Sequence, residues 1–339
     1  MNELIKPKKL RKGDTIAAIS ISGGRAGDTD MLDRYHIGKK RLHEIFGLNV
    51  IETPNALKGS EFIYNNPKAR VEDLIWALKN PDIKGIVTNM GGDDSYRLLP
   101  YLDYKVIRDN PKIMMGFSDI STLHNIFTYA GVTSFYGPSM LTPIAQPFEL
   151  DGYTKHWIEK VLFSSEIIGE IMPCKAWTNI NWNNNSDEEI KWTSNTGYRI
   201  INGSGRVEGR LIGGCGGPMQ QIMGTKIFPS SEKWKDSIIF MEIGIPYSDT
   251  ISGLHQIRAF AATGMFREAK GLICTDISKE SEKQLLKVIC EEEGLTDFPI
   301  LANIDFGHRT PMTIIPSGVL AEIDCDKATF SILESAVVE

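Results

Sequence analysis

Short apolar runs rich in β-branched residues alternate with segments of helical spacing through the first half of the chain. The runs are TIAAISIS (15–22), LNVIET (48–53), IKGIVTNM (83–90), KIMMGF (112–117) and VTSFYG (132–137). They are continuous rather than alternating, as strands buried on both faces are. Between them the period changes. In NPKARVEDLIWALKN, Val71, Leu74, Ile75 and Leu78 recur at i, i+3, i+4 and i+7, with Asn66-Pro67 as a start signal. This β-α alternation predicts an α/β domain with a parallel, flavodoxin-like sheet covered on both faces, and in such sheets ligands collect beyond the carboxyl ends of the strands. Three of those ends carry unusual loops: SGGRAG after the first run, GGDDS after the third and FSDIS after the fourth.

Residues 164–205 break the pattern. They are rich in Asn, Ser and Thr, lack clean periodicity and carry Trp177, Trp182 and Trp192. Long loops in compact proteins are functional or disordered, and three tryptophans argue against disorder. Either the indoles pin a connecting segment to the body, or they form a stacking surface for a flat ligand. The pattern then resumes with RVEGRLIGG, SIIFMEI, AKGLICTDI, FPILANI and SGVLAEID as strands, and with helical spacing at about 216–224, 249–264 and 279–293. The chain therefore divides into an N-terminal α/β domain (1–163), a Trp- and Asn-rich connection (164–205) and a smaller C-terminal α/β domain (206–339), with a cleft between the domains.

Composition narrows the partners. At 339 residues with 42% hydrophobic and 24% charged residues, the chain reads as an ordinary globular protein, and no window approaches the roughly 20 apolar residues of a membrane span. A net charge of −6, with no basic block beyond the first dozen residues, leaves no footprint for nucleic acid. Small molecules are the expected partners. The basic start MNELIKPKKLRKGD leads into too short an apolar run, with no cleavage pattern, to be a secretion signal, so a cytoplasmic location is expected. Five cysteines, odd in number and without a CxxC pair, suit reduced thiols. There is no HxxxH or HExxH, so neither a metal nor a cofactor is expected.

The chemistry centres on GFSDI, where an apolar run meets a helical segment. A serine on a sharp strand-to-helix turn exposes its Oγ, and the next backbone N–H, here that of Asp119, points at the same spot. Ser118 has an alternative role as N-cap of the following helix. A nucleophilic hydroxyl needs a base. His36, His43, His124, His156 and His255 fall in helical patterns, whereas His308 sits in NIDFGHRTP, in a Gly- and Pro-punctuated loop at a strand end. The base in turn needs an orienting acid. Glu242 ends the apolar run SIIFMEIG, where a charge must be paired, and Asp276 and Asp305 are its rivals.

Taken together, MGFSD, FMEIG and FGHRTP resemble the three signature regions of the LD-carboxypeptidase family, serine peptidases that include the microcin C immunity proteins. LRKGDTIAAISIS, GIVTNMGGDDSYRLLPYLD, SFYGPSM and GRLIGGC extend the resemblance over nearly the whole chain. It implies Ser118 as nucleophile on the N-terminal domain, with Glu242 as orienting acid and His308 as general base from the C-terminal domain. It also implies an oxyanion hole from the amides of Asp119 and Gly92, with Gly91 as a substrate-binding residue, and a homodimer. Two departures matter: MGGDDS stands where the murein-recycling branch has an R-G-G-Y-G-like sequence, and Cys215 stands where Asn is usual. The first, with the Trp-bearing insertion, favours the immunity branch, which cleaves a peptidyl or aminoacyl-nucleotide amide and stacks the base on aromatic residues. Trp177 and Trp182 are the candidates for that stacking. A murein tetrapeptide carboxypeptidase is the alternative.

Other classes fit less well. SGGRAG lacks the GxGxxG spacing and GGDDS lacks a P-loop lysine. A two-domain binding protein without chemistry would tolerate loss of Ser118. A cysteine hydrolase using Cys215 in GGCGG competes with the reading of that residue as a small buried thiol.

Overall fold

The structure, a computed structural model, describes residues 3–178, 191–243, 251–275 and 277–339. Each N-terminal apolar run forms a strand: Thr15–Ile19, Asn49–Glu52, Ile83–Thr88, Ile113–Gly116 and Phe135–Tyr136. They pair in parallel in the spatial order second, first, third, fourth, fifth. This is the flavodoxin-like doubly wound order, with its switch point between the first and third strands. The runs are continuous because alternate residues enter different cores. Ile16 and Ala18 pack with Tyr35, Leu42 and Phe46 of the helix Leu32–Phe46, while Ala17 and Ile19 pack with Val71, Leu74 and Leu78 of the helix Pro67–Lys79.

The second sheet has eight strands, in the order Gly169–Glu170, Thr329–Ile332, Leu320–Asp324, Arg206–Cys215, Ser237–Glu242, Gly271–Cys274, Ile300–Ala302 and Arg199–Asn202. Its middle four, 206–215, 237–242, 271–274 and 300–302, run parallel, and antiparallel strands close both sides. Two edges come from the segment that reads as a connection, because Gly169–Glu170 and Arg199–Asn202 pair at opposite ends of this sheet. The exchange also runs the other way: Ile315–Pro316 pairs antiparallel with Phe135–Tyr136 at the edge of the first sheet. The two sheets share apolar cores, with Phe135 and Tyr136 in one cluster with Phe240 and Phe306. No helix among the described residues is long and apolar enough to cross a membrane.

One buried ion pair shapes the loop after the third strand. Arg70, on the helix Pro67–Lys79 and fully buried, donates from Nη1 to Asp94 Oδ1 (2.8 Å) and to the Ser22 carbonyl (3.1 Å). Arg97 holds the other Asp94 oxygen at 2.6 Å. The glycine-bearing loop at 90–95 is thereby tied to the loop after the first strand. Replacing Arg70 by Ala strands a buried carboxylate, with Arg97 its sole remaining cation among the described residues. We expect a loss of about 3 kcal/mol in unfolding free energy, read as a lower denaturant midpoint at unchanged slope; a loss below about 1 kcal/mol would refute this account of the loop.

Candidate active site

The strand Ile113–Gly116 leads through Phe117 into the 3-10 turn Ser118–Ile120 and the helix Ser121–Ala130. Ser118 makes the turn at φ +66°. A residue with a Cβ holds that left-handed conformation only where its surroundings impose it. Here both flanking peptide groups are held: the Ser118 N–H donates to the Tyr136 phenol oxygen (3.0 Å), and the Ser118 carbonyl accepts from the Ser121 hydroxyl (2.6 Å). The Ser118 hydroxyl has no hydrogen-bond partner among the described residues, and neither the 3-10 turn nor the helix carries a side-chain cap. The capping alternative therefore fails.

Glu242 ends the strand Ser237–Glu242 and is fully buried. Gly307 passes directly over its carboxyl group at φ +75°, where any Cβ would collide with the carboxylate. That approach lets Oε2 accept from both the backbone N–H and the ring Nδ1–H of His308, each at 2.8 Å, while Oε1 accepts from the Tyr136 hydroxyl. Burial pushes the Glu242 carboxyl up, but His308 and Tyr136 outweigh it and hold the group below the usual carboxylate range. For His308 burial disfavours the imidazolium, and the carboxylate more than offsets it, leaving the imidazole above its ordinary value. With Nδ1 committed to Glu242, Nε2 is the basic nitrogen. The imidazole is 35% exposed, and Phe117, the residue before Ser118, packs edge-on to it at 5.2 Å between ring centroids.

The rivals are placed elsewhere. Asp305 is buried against the Cys174 amide (2.7 Å), Asn195 (3.2 Å) and Arg309 (3.3 Å), without contact to His308. Asp276 lies outside the described residues. His124 donates from Nε2 to the Gly116 carbonyl (2.9 Å) and accepts at Nδ1 from Ser134 (2.9 Å). Burial pulls its imidazole down to about 4, the Gly116 carbonyl offsetting only part. His36, His43, His156 and His255 are exposed on helices. Cys215 is buried, and its thiol is raised by burial and by Glu242, so it is a neutral neighbour rather than a nucleophile. One donor atom each of Cys215, Glu242 and His308 lies within 4.8 Å of the others. The Glu242 carboxylate, however, is already filled by three hydrogen bonds.

Ser118, Gly91, Gly92 and His308 line one cavity of about 280 Å³, together with Phe117, Ser139, Thr142, Thr178, Arg309 and Thr310. At Gly91 a Cβ would stand 2.9 Å from Ser118 Cβ, 3.2 Å from its Oγ and 3.4 Å from the Asp119 nitrogen, so only glycine leaves the hydroxyl open. The backbone N–H groups of Gly91, Gly92 and Asp119 have no acceptor among the described residues. The Asp119 side chain turns away and accepts from Ser22 (2.5 Å) and from the amides of Asp94 (3.1 Å) and Ser95 (2.9 Å). It binds the glycine loop to the elbow, and burial raises its carboxyl against those donors.

Trp177 is not among the residues that line the cavity, although its neighbour Thr178 is. Its strand, Ala176–Trp177, pairs with Thr193–Ser194, and its ring carries the Arg309 guanidinium at 4.6 Å. Thr178 exchanges backbone hydrogen bonds with Thr310 (2.7 and 3.1 Å), and Trp192 packs on Phe148. Trp177 and Trp192 thus pin the connecting segment to the His308 loop and the body; Trp182 lies outside the described residues. Sequence reasoning passed over Tyr136, Ser121 and Arg309. A tyrosine at the end of an apolar strand was the available signal, since a buried phenol needs a partner.

Comparison with known proteins places two family models on the chain: the LD-carboxypeptidase N-terminal domain over residues 16–137 and the LD-carboxypeptidase C-terminal domain over residues 208–323. A putative carboxypeptidase, YocD of Bacillus subtilis (strain 168), is 30% identical over 329 residues, covering 95% of this chain and 96% of that one. The Microcin C7 self-immunity protein MccF of Escherichia coli is 32% identical over 281 residues, 79% of this chain and 78% of MccF. A structure of MccF in complex with aspartyl sulfamoyl adenosine superposes with a TM-score of 0.84 at 26% identity over 98% of this chain and 100% of that one. The MccF-like protein of Streptococcus pneumoniae in complex with AMP gives 0.83 at 29% identity over 94% and 98%.

The Glu242–His308 pair yields a measurable expectation. In the folded protein the His308 imidazole should titrate above 6.5 by NMR. In Glu242→Gln burial acts without its opposing charge, and the midpoint should fall below 6.5. A midpoint unchanged by the substitution would contradict the pairing.

Proposed function

Since the chain belongs to the LD-carboxypeptidase family and is a serine peptidase, we propose that Ser118 is its nucleophile, His308 its general base and Glu242 the acid that orients the imidazole. His308 Nε2 takes the Ser118 proton as Oγ attacks an amide carbonyl. The developing oxyanion accepts from the N–H groups of Asp119 and Gly92, each contributing about 3 kcal/mol. His308 then protonates the leaving amine, and water, deprotonated by the same nitrogen, releases the acyl group. Glu242 stays ionised throughout and stabilises the imidazolium.

What carries this reading is the His308–Glu242 hydrogen bond of 2.8 Å beside a cavity that Ser118 also lines, built from residues far apart in sequence. Hydrogen bonds of catalytic groups often tighten only with substrate bound, so the absence of a Ser118–His308 bond here is compatible with it. The substrate we propose is an aminoacyl- or peptidyl-nucleotide amide, as in the microcin C immunity branch. Support comes from the ligands of the similar structures, aspartyl sulfamoyl adenosine and AMP. The wall of the cavity carries hydroxyl-bearing residues, Ser139, Thr142, Thr178 and Thr310, beside Ser118. The same reading takes the protein as a cytoplasmic homodimer.

Incubation with aspartyl sulfamoyl adenosine and, separately, with a murein tetrapeptide tests the substrate. We expect cleavage of the first and a loss of at least about 10³-fold in Ser118→Ala. Cleavage of the tetrapeptide alone would move the protein to the murein branch, and undiminished turnover in Ser118→Ala would end the assignment of the nucleophile. Gly91→Ala, which sets a methyl against the hydroxyl, should lower kcat by about 10²-fold; wild-type kcat would show that Gly91 does not bound the reacting centre. Since the base must be neutral and its affinity for protons is raised, kcat/KM should fall on acidification through a midpoint above 6.5. A fall centred well below that value would mean another group is the base.

A further inference from the structure

The two peptide groups of the elbow lead to one place in the other domain. The Ser118 N–H donates to the Tyr136 hydroxyl (3.0 Å), which itself donates to Glu242 Oε1. The Ser118 carbonyl accepts from the Ser121 hydroxyl (2.6 Å), which itself accepts from the Cys215 N–H (2.7 Å). Cys215 and Glu242 are register partners on adjacent parallel strands. Each side of the strained serine is therefore bound, through one hydroxyl, to the same rung of the C-terminal sheet. Tyr136 has no freedom to drift: it is fully buried, with its ring against His124, Phe240 and Phe306.

We propose that Tyr136 and Ser121 are positioning residues, a pair of hydroxyl clamps that hold the nucleophile at φ +66° and in register with its acid across the domain boundary. The proposal rests on the reading of Ser118, His308 and Glu242 as the catalytic groups. The physical need is clear. A left-handed serine relaxes unless its surroundings over-determine it, and a nucleophile displaced by even 1 Å loses much of its reactivity. Neither hydroxyl touches the reacting atoms; each acts through the peptide groups of Ser118. Their consequences differ in kind, however. Tyr136 also supplies one of the three hydrogen bonds to the carboxylate, whereas Ser121 touches no ionised group.

The ionisable groups around the Tyr136 hydroxyl are Glu242 at the end of its strand, His308 on the loop that covers it, Cys215 on the adjacent strand and His124 on the helix beside the ring. His124 and Cys215 are held neutral by burial. In Tyr136→Phe the negative charge on Glu242 is therefore less dispersed and draws the His308 proton more strongly. The acid limb of kcat/KM should move to higher pH. In Ser121→Ala it should stay where it is.

The experiment compares wild type, Tyr136→Phe, Ser121→Ala and the double variant. It measures the rate of covalent labelling of Ser118 by a fluorophosphonate, turnover of aspartyl sulfamoyl adenosine across pH, and thermal unfolding. Each single substitution should lower kcat and the labelling rate by roughly 10- to 100-fold with KM changed less than about threefold, in protein that still unfolds cooperatively. The double variant should lose less than the product of the two, because both clamps act on one residue. Wild-type kcat in either folded variant, or an acid limb that Tyr136→Phe leaves in place, overturns the clamp while a labelled Ser118 preserves the catalytic reading. A wild-type protein in which the reagent never modifies Ser118 overturns both.

Discussion

A single carboxylate, buried without access to water, constrains both domains. Charge in that position is tolerated only when nearly every lone pair is used, and Glu242 meets the condition with donors from two directions. One oxygen takes the main chain and ring of His308, from its own domain; the other takes the Tyr136 phenol, from the opposite one. The carboxylate that raises the basicity of the imidazole is thus also a group that ties the two halves together. Electrostatic poise and domain placement meet at one group.

The division of labour follows from the topology. Open parallel sheets gather ligands beyond the carboxyl ends of their strands, and this chain sets two such ends against each other. The first sheet contributes the Gly91–Gly92 loop after its third strand and Ser118 after its fourth, which in the proposed mechanism meet a carbonyl carbon and its oxygen. The second contributes Glu242 at one strand end and His308 beyond another, which in the proposed mechanism handle the proton. Edge exchange welds the arrangement: Ile315–Pro316, in the chain segment just after His308, is hydrogen-bonded to the strand that carries Tyr136. The elements on either side of the cavity are therefore joined by main chain as well as by side chains.

Much of this was legible in the sequence because buried parallel strands announce themselves as continuous apolar runs. The five runs of the first half and the five of the second each became a strand, and the loops at their ends hold Gly91, Ser118 and His308. The edges were not legible. Gly169–Glu170, Arg199–Asn202 and Ile315–Pro316 are two to four residues long, and their partners lie far away in the chain, so neither period nor turn chemistry marks them. Trp177 shows the same limit: an indole reads equally as a ligand platform or a clasp, and its seat under the Arg309 guanidinium is visible only in three dimensions. The proposed clamps, Tyr136 and Ser121, were invisible in the sequence because what marks them is the groups they join. In sequence one is a strand aromatic and the other a helix-start serine.

The central claim is that an imidazole from the C-terminal half serves a hydroxyl from the N-terminal half. Its most direct test is a crystal structure of the wild-type protein after reaction with an aminoacyl phosphonate. The account predicts phosphorus bonded to Ser118 Oγ, one phosphonyl oxygen between the nitrogens of Asp119 and Gly92 at roughly 2.7–3.1 Å, and His308 Nε2 within roughly 2.6–3.2 Å of Oγ or the leaving-group oxygen. Phosphorus on any other side chain, or an imidazole still out of hydrogen-bond reach of the adduct, would contradict it.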